Sequence, residues 1–237
     1  MQQHPTATRE EWLAARNALM VKEKARTRLG DAIAAERRVL PWVRIDKEYA
    51  FDSLAGKVTL SDLFDGRSQL FSKTFMLSPG QQSQCVGCSL ECDHMAALVE
   101  HLNANDVSYV VIASAPLAEI EVVRRRMGWT FNWVSSFGTE FNREVVNAYS
   151  PTGHGVGSNQ SFYKDEDGQV FLTYGNSGRG GEGHMGIYAI FDQMAKGRNE
   201  NGPFFSMTDW VRPRNMYGQG GEVQGNGEYR PAACGCD

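Results

Sequence analysis

Apolar and polar positions divide this chain into a helical arm, a run of alternating strands and helices, a hairpin, and a polar, glycine-rich end. Residues 8 to 39 carry an apolar stripe of Trp12, Ala15, Leu19, Val21 and Leu29 among dense charges, which predicts one long helix. Thr8 with Glu11 fits a capping box, and Pro41 closes the helix. Tyr49-Ala50-Phe51 and Lys57-Val58-Thr59-Leu60, with Gly56 between them, predict a hairpin. Residues 68 to 76 read as a strand and about 88 to 105 as a helix. Ser108 to Ala113 is an apolar, β-branched run of buried-strand type. Pro116 opens a helix that runs to Met127 and stops at Gly128. Thr130 to Val134 predicts a short strand, while Glu144 to Tyr149 fits a strand or a helix equally. Ser161-Phe162-Tyr163-Lys164 and Gln169 to Tyr174 flank Asp165-Glu166-Asp167-Gly168, which predicts a second hairpin. Ile187 to Ala195 gives a last helical pattern, and from Gly218 onward the chain reads as a flexible tail.

Alternating β and α segments imply parallel strands with right-handed crossovers, and the later hairpin adds antiparallel ones. The expected fold is therefore α/β: a thioredoxin-like mixed sheet of four or five strands flanked by helices, with a long N-terminal helical arm and a flexible C-terminal tail. The expected parts are an arm over 1–45, a thioredoxin-like domain over 46–200 and an irregular extension over 201–237.

Composition narrows the function classes. The chain has 237 residues, 41% hydrophobic and 22% charged, as in globular proteins. A net charge of -4 leaves no footprint for nucleic acid. The longest apolar runs are too short to span a bilayer, so no membrane partner is expected. Residues 1 to 5 lack a basic segment followed by an apolar core, so the expected location is cytoplasmic. The arm is compatible with a homodimer.

The five cysteines fall in two clusters, Cys85, Cys88 and Cys92 in one, Cys234 and Cys236 in the other. A disulfide framework would spread them over the loops of a short secreted chain, so clustering points to redox chemistry or metal binding. Cys85-Val86-Gly87-Cys88 follows a predicted strand and opens a predicted helix, the context of a redox dithiol. Unpaired N–H groups at a helix start favour thiolate over thiol. At about 100° per residue, Cys85, Cys88 and Cys92 share one face if the helix begins by Cys85.

Several stretches together resemble a bacterial family of thioredoxin-like proteins of unknown function, labelled predicted dithiol–disulfide oxidoreductases. They are Glu11-Trp12-Leu13-Ala14-Ala15-Arg16, Glu36 to Trp42, Leu63-Phe64-Asp65-Gly66-Arg67-Ser68-Gln69-Leu70, Cys85 to Ser89 with Asp93-His94, Ala115-Pro116-Leu117, Arg126 to Trp129, and Trp133 to Ser136. The resemblance implies a thioredoxin-like fold and, more weakly, dithiol chemistry. Cys92 and the Cys234-Gly235-Cys236 tail depart from the family pattern. Thioredoxins proper carry a Pro before the strand that faces the dithiol, whereas Gly157 to Phe162 has none.

The leading expectation is a thiol–disulfide oxidoreductase with Cys85 as nucleophile, Cys88 as resolving thiol and no required cofactor. It would exchange with a protein or small-molecule disulfide and a thiol electron donor. Cys92, Cys234 and Cys236 are candidate auxiliary thiols, His94 a candidate acid or base, and Arg179 a candidate contact for an anionic substrate. The first alternative is a Cu(I) or Zn binding or delivery module using Cys85, Cys88 and Cys92 with His154 or His184, since soft thiolates select those ions. Cys88-x3-Cys92 resembles the spacing in copper-delivery proteins of oxidase assembly that share this fold. The second alternative is a non-catalytic partner-binding domain. Thiol peroxidases of this fold carry a hydroxyl donor three residues before the reactive Cys, but Gln82 precedes Cys85 and Cys85 precedes Cys88.

Overall fold

The computed structural model describes residues 4–81, 83–148, 157–198, 200, 209–223 and 229–230. The chain divides into two compact units, 1–41 and 42–237. The first is built on α1, Arg9–Arg38. Thr8 accepts from the Glu11 amide and the Glu11 carboxylate accepts from the Thr8 amide, so the predicted capping box forms. Glu10 and Glu11 lie in the first turn and Arg37 and Arg38 in the last, matching the helix dipole at both ends. None of its residues is buried.

The second unit runs β1 (Val43–Ile45), β2 (Ala50–Ser53), β3 (Gly56–Thr59), β4 (Gln69–Phe75), α2 (Val86–Ala96), α3 (Val99–Asn103), β5 (Val107–Ala113), α4 (Leu117–Met127), β6 (Asn132–Ser135), β7 (Asn159–Lys164), β8 (Val170–Asn176) and α5 (Gly186–Phe191). The extension adds a two-stranded ladder, β9 (Glu222–Val223) with β10 (Tyr229–Arg230). One sheet is ordered β1-β8-β7-β4-β5-β6-β2-β3. Strands β4, β5 and β6 are parallel, and the other pairings are antiparallel. The central β4 and β5 with the antiparallel β7–β8 hairpin form the thioredoxin-like arrangement, and α2 follows β4.

Eight strands replace the expected four or five, because β1 pairs beyond β8 and the β2–β3 hairpin joins β6. Asp52↔Ser135 is the pair that joins β2 to β6, a link that no local pattern announces. The predicted helix over 88 to 105 is two helices, since a Leu98 N–H to Met95 carbonyl bond of 2.9 Å tightens the end of α2. The stretch that fitted strand or helix is a π-helix over Asn142–Asn147 that buries Val145 and Val146. Gly128 takes φ +65° and closes α4 as predicted.

The sheet has a core on each face. Phe75, Tyr109, Val111 and Trp133 meet α2 and α4 through Cys88, Met95, Ile120 and Met127. Leu70, Val110, Ile112 and Phe162 meet Phe51, Phe64, Phe141 and Val145 on the other. Among the described residues no helix is long and apolar enough to cross a membrane.

Candidate functional site

Cys85 is the N-cap of α2 in extended conformation, φ -63° and ψ 125°. Its Sγ accepts a hydrogen bond from the Cys88 amide at 3.4 Å. The sulfur thus does what a Ser or Asp side chain does at a cap, satisfying one of the helix's free N–H groups. Ser89 Oγ donates to the Cys85 carbonyl at 2.7 Å and accepts from Gln84 Nε2 at 2.6 Å. Arg126 donates to Gln84 Oε1 at 2.6 Å and so clamps the segment before the dithiol. Cys85, Cys88 and Cys92 are free thiols here and buried, at 6%, 3% and 0% exposure.

Beneath the thiols lies a pair that the sequence reading missed. Lys73 Nζ meets Glu91 Oε2 at 2.6 Å, with side chains 3% and 4% exposed. Lys73 also donates to the Gly157 carbonyl at 2.6 Å. Phe71, Lys73 and Phe75 alternate onto one face of β4, so the ammonium projects where a third apolar side chain would sit. Glu91 lies one turn beyond Cys88 on the inward stripe Cys88, Cys92 and Met95. A Lys inside an apolar strand and a Glu inside an apolar helix stripe are the signals that would have found them.

The charges set the thiols. The Cys85 thiol, hydrogen-bonded to Cys88, draws the Cys88 thiol down to about 7 against burial, with Lys73 and the Met76 amide adding to the fall. Cys85 goes the other way: its bond to Cys88 and its burial raise it, although Lys73 and the Cys88 amide oppose the rise. One hydrogen bond between the two thiols lowers Cys88 and raises Cys85, and Lys73 and the Met76 amide add to the fall at Cys88. Burial pushes Cys92 up, and its Sγ lies 3.9 Å from the buried Tyr109 hydroxyl. Burial opposes the charge on Glu91, but Lys73 and His184 hold its carboxyl below the usual value. Burial likewise opposes the charge on Lys73, while Cys88 and Glu91 hold its ammonium above the usual value.

His184 Nδ1 lies 3.0 Å from Glu91 Oε1, which places this residue in the charge chain under the thiols. His94 Nδ1 donates to the Leu90 carbonyl at 2.7 Å, along its own helix. Arg179 pairs with Glu182 at 2.7 Å. His154, Cys234 and Cys236 lie outside the described residues. Among the described residues, no group of three or more His, Cys, Asp and Glu side chains gathers as a metal site.

The C-terminal extension packs on the dithiol helix. Val86, inside the Cys-x-x-Cys, is fully buried against Val211, Val223 and Tyr229. Arg214 reaches Asp93 at 2.9 Å, and the same carboxylate oxygen accepts from Trp129 Nε1 at 2.8 Å. Burial raises the Asp93 carboxyl above its usual value, although Trp129 and Arg214 pull against the rise. A crevice lined by Ser83, Gln84, Arg126, Pro213 and Tyr229 runs between this strap and the loop before Cys85.

Residues 1–217 match the model of a family described as bacterial protein of unknown function, DUF899. No curated protein matches the chain. Solved structures with similar chains include a thiol:disulfide interchange protein from a Bacteroides species, at 12% identity and TM-score 0.42 over 68% of this chain and 97% of that one. A yeast mitochondrial 1-Cys peroxiredoxin matches at 15% identity and TM-score 0.41, over 64% and 76%. A structure titled as a thiol:disulfide interchange protein DsbE of Chlorobium tepidum matches at 13% and 0.40, over 58% and 86%. The strand order and the place of α2 carry the fold assignment.

Proposed function

We propose that this chain, which belongs to the DUF899 family of bacterial proteins of unknown function, is a thiol–disulfide oxidoreductase acting through Cys85 and Cys88. The observation that carries the reading is the cap itself. Cys85 Sγ takes the Cys88 amide at the start of α2, and a buried ammonium acts on the neighbouring sulfur. A place at a helix start and a nearby ammonium each favour a thiolate, the species that thiol exchange requires.

In the reductive direction the Cys85 thiol passes its proton to the Cys88 thiolate and attacks one sulfur of a substrate disulfide. That S–S bond breaks, and the first product leaves as a thiolate that takes a proton from water. Cys88 then loses its proton and attacks Cys85 Sγ, releasing the second product thiolate. Two electrons pass from the dithiol to the substrate, and a Cys85–Cys88 disulfide remains for an external thiol donor to reduce. Cys85 is assigned the attack because, as the N-cap, it lies outside the first helical turn and is 6% exposed against 3% for Cys88. Protein or small-molecule disulfides are the substrate class.

Alkylation mass spectrometry across a glutathione redox titration, on protein purified without oxygen, tests this. A reversible Cys85–Cys88 disulfide with one midpoint is expected. Cys88→Ser should trap a mixed disulfide on Cys85, and Cys85→Ser should trap none. If the wild-type pair never forms that disulfide, the assignment falls. A trap that forms only on Cys88 would reverse the two roles. A link to Cys234 or Cys236 would add the tail thiols to the exchange.

A further inference from the structure

Cys85 stands in the chain between two residues that border one crevice. Gln84 lines it, and Val86 is packed in a buried cluster with Tyr229, which lines it too. Ser83, Gln84 and Arg126 come from the dithiol side, and Pro213, Asn215 and Tyr229 from the strap. No carboxylate lines the crevice among the described residues, and its charge is positive. Arg124 and Arg125 are both neutralised by Glu121, at 2.6 Å and 3.6 Å. Arg126, next in the chain, is exposed and donates to the neutral Gln84 side chain, with no carboxylate partner among the described residues. Its guanidinium keeps donors beyond the one given to Gln84, in a fork that fits a carboxylate. A second guanidinium, that of Arg212, lies 5.8 Å from the Tyr229 ring centroid and donates to the carbonyls of Asp209 and Val211. Arg214 is held by Asp93 at 2.9 Å. Arg179, expected from the sequence to meet an anionic substrate, is held by Glu182 at 2.7 Å.

We propose that this crevice is the substrate subsite of the dithiol and takes the carboxylate of a small anionic disulfide, with Arg126 as the specificity-determining residue. The inference rests on the exchange reading above and narrows its substrate class. The carboxylate accepts from the Arg126 fork, a charge-assisted contact that a neutral or cationic disulfide cannot make. Ser83 and Asn215 add neutral polar groups on either side. Arg212 adds positive potential behind Tyr229. Because Gln84 and Val86 both border the crevice, a disulfide anchored there is presented to the residue between them, Cys85. Exchange then balances as before: the dithiol gives two electrons and two protons, and the anionic disulfide leaves as two thiols.

The test uses full-length reduced protein and stopped-flow oxidation by oxidised glutathione, hydroxyethyl disulfide and cystamine, which are anionic, neutral and cationic. Each rate is divided by that of dithiothreitol with the same disulfide, which removes intrinsic reactivity. Wild-type protein should prefer oxidised glutathione, and added salt should narrow the preference by screening the attraction. Arg126→Gln removes the cation and Asn215→Glu adds an anion. Each should lower the ratio of the glutathione rate to the hydroxyethyl disulfide rate about tenfold, the scale of a lost charge-assisted hydrogen bond. The ratio is read because Arg126 also holds Gln84, and a general disturbance of the dithiol moves both rates together. S-methylglutathione, which has no exchangeable sulfur, should shift the amide NMR signals of Ser83 and Asn215 in wild-type protein and leave them in place in Arg126→Gln. A wild-type ratio near unity, a ratio that both variants leave unchanged, or S-methylglutathione shifts that are absent or survive Arg126→Gln would overturn the inference. The S-methylglutathione experiment involves no exchange, so failure of the exchange reading and failure of this one are separate results.

Discussion

Lys73 on β4 and Glu91 on α2 form an ion pair of 2.6 Å that is almost wholly closed to water. Removing charges from water costs several kcal/mol per ion, and the pair regains that only while both members are present. Lys73→Met leaves the Glu91 charge uncompensated on that side and should destabilise the protein by about 3–5 kcal/mol. Lys73→Met with Glu91→Leu should recover most of that loss, since an apolar pair of similar volume fits the site. Both variants should lose the acidic Cys88 thiol. Denaturant unfolding of reduced protein, with thiolate absorbance on the same samples, checks both halves; a double variant as unstable as the single would refute the account.

The thiols make stability depend on pH. An acidic group whose folded value is depressed stabilises above its unfolded value, and that stability is lost as pH falls through the folded value. For Cys88 the window runs from the ordinary 9.0 down to about 7. Reduced protein should therefore become more stable as pH rises from 7 to 9. Above 9 the raised Cys85 and Cys92 thiols reverse the trend, because the unfolded chain ionises there while the fold keeps them protonated. Cys88→Ala should flatten the rise between 7 and 9. Thermal unfolding under reducing conditions across this range is the measurement.

Arg214 ties the C-terminal strap to Asp93, yet its side chain is 49% exposed. Screened pairs of this kind contribute about 0–1 kcal/mol. Arg214→Ala should leave global unfolding nearly unchanged while alkylation of Cys85 by iodoacetamide becomes faster, because the strap covers Val86 beside it. Equal alkylation rates would show that the strap does not govern access.

Gly157 has φ +83°, and a Cβ there would stand 3.1 Å from Met76 Sδ and 3.9 Å from Cys88 Sγ. Its carbonyl also holds Lys73. Gly157→Ala should cost about 1–2 kcal/mol from the left-handed backbone alone. Crowding at Met76 and Cys88 should also shift the midpoint of the glutathione titration. An unchanged midpoint would limit Gly157 to a backbone role.

Much of the fold was legible in the residues because the relevant forces are local. The capping box at Thr8 and Glu11, the stop at Gly128 and the hairpins at Gly56 and Gly168 depend on neighbours within a few positions. The strand of Tyr109 to Ala113 is apolar on both faces, as a central parallel strand must be. The dithiol was legible too, because Cys-x-x-Cys needs only a strand before it and a helix after it.

Lys73, Glu91 and His184 meet across 18 and 93 positions of chain, and no local preference brings them together. His184, a candidate metal ligand in the sequence, meets the Glu91 carboxylate only because the sheet brings the two together. Arg126 of α4 reaches Gln84 across 42 positions of chain, a contact that no local pattern announces. The sequence by itself determined the elements, the parallel core and the place of the two thiols, since these follow from periodicity and short-range hydrogen bonding. Only the tertiary structure decided what surrounds the two sulfurs. Beside the hydrogen bond between them lies an ammonium buried where an apolar side chain was expected, and a buried charge acts through distance and dielectric rather than through order in the chain.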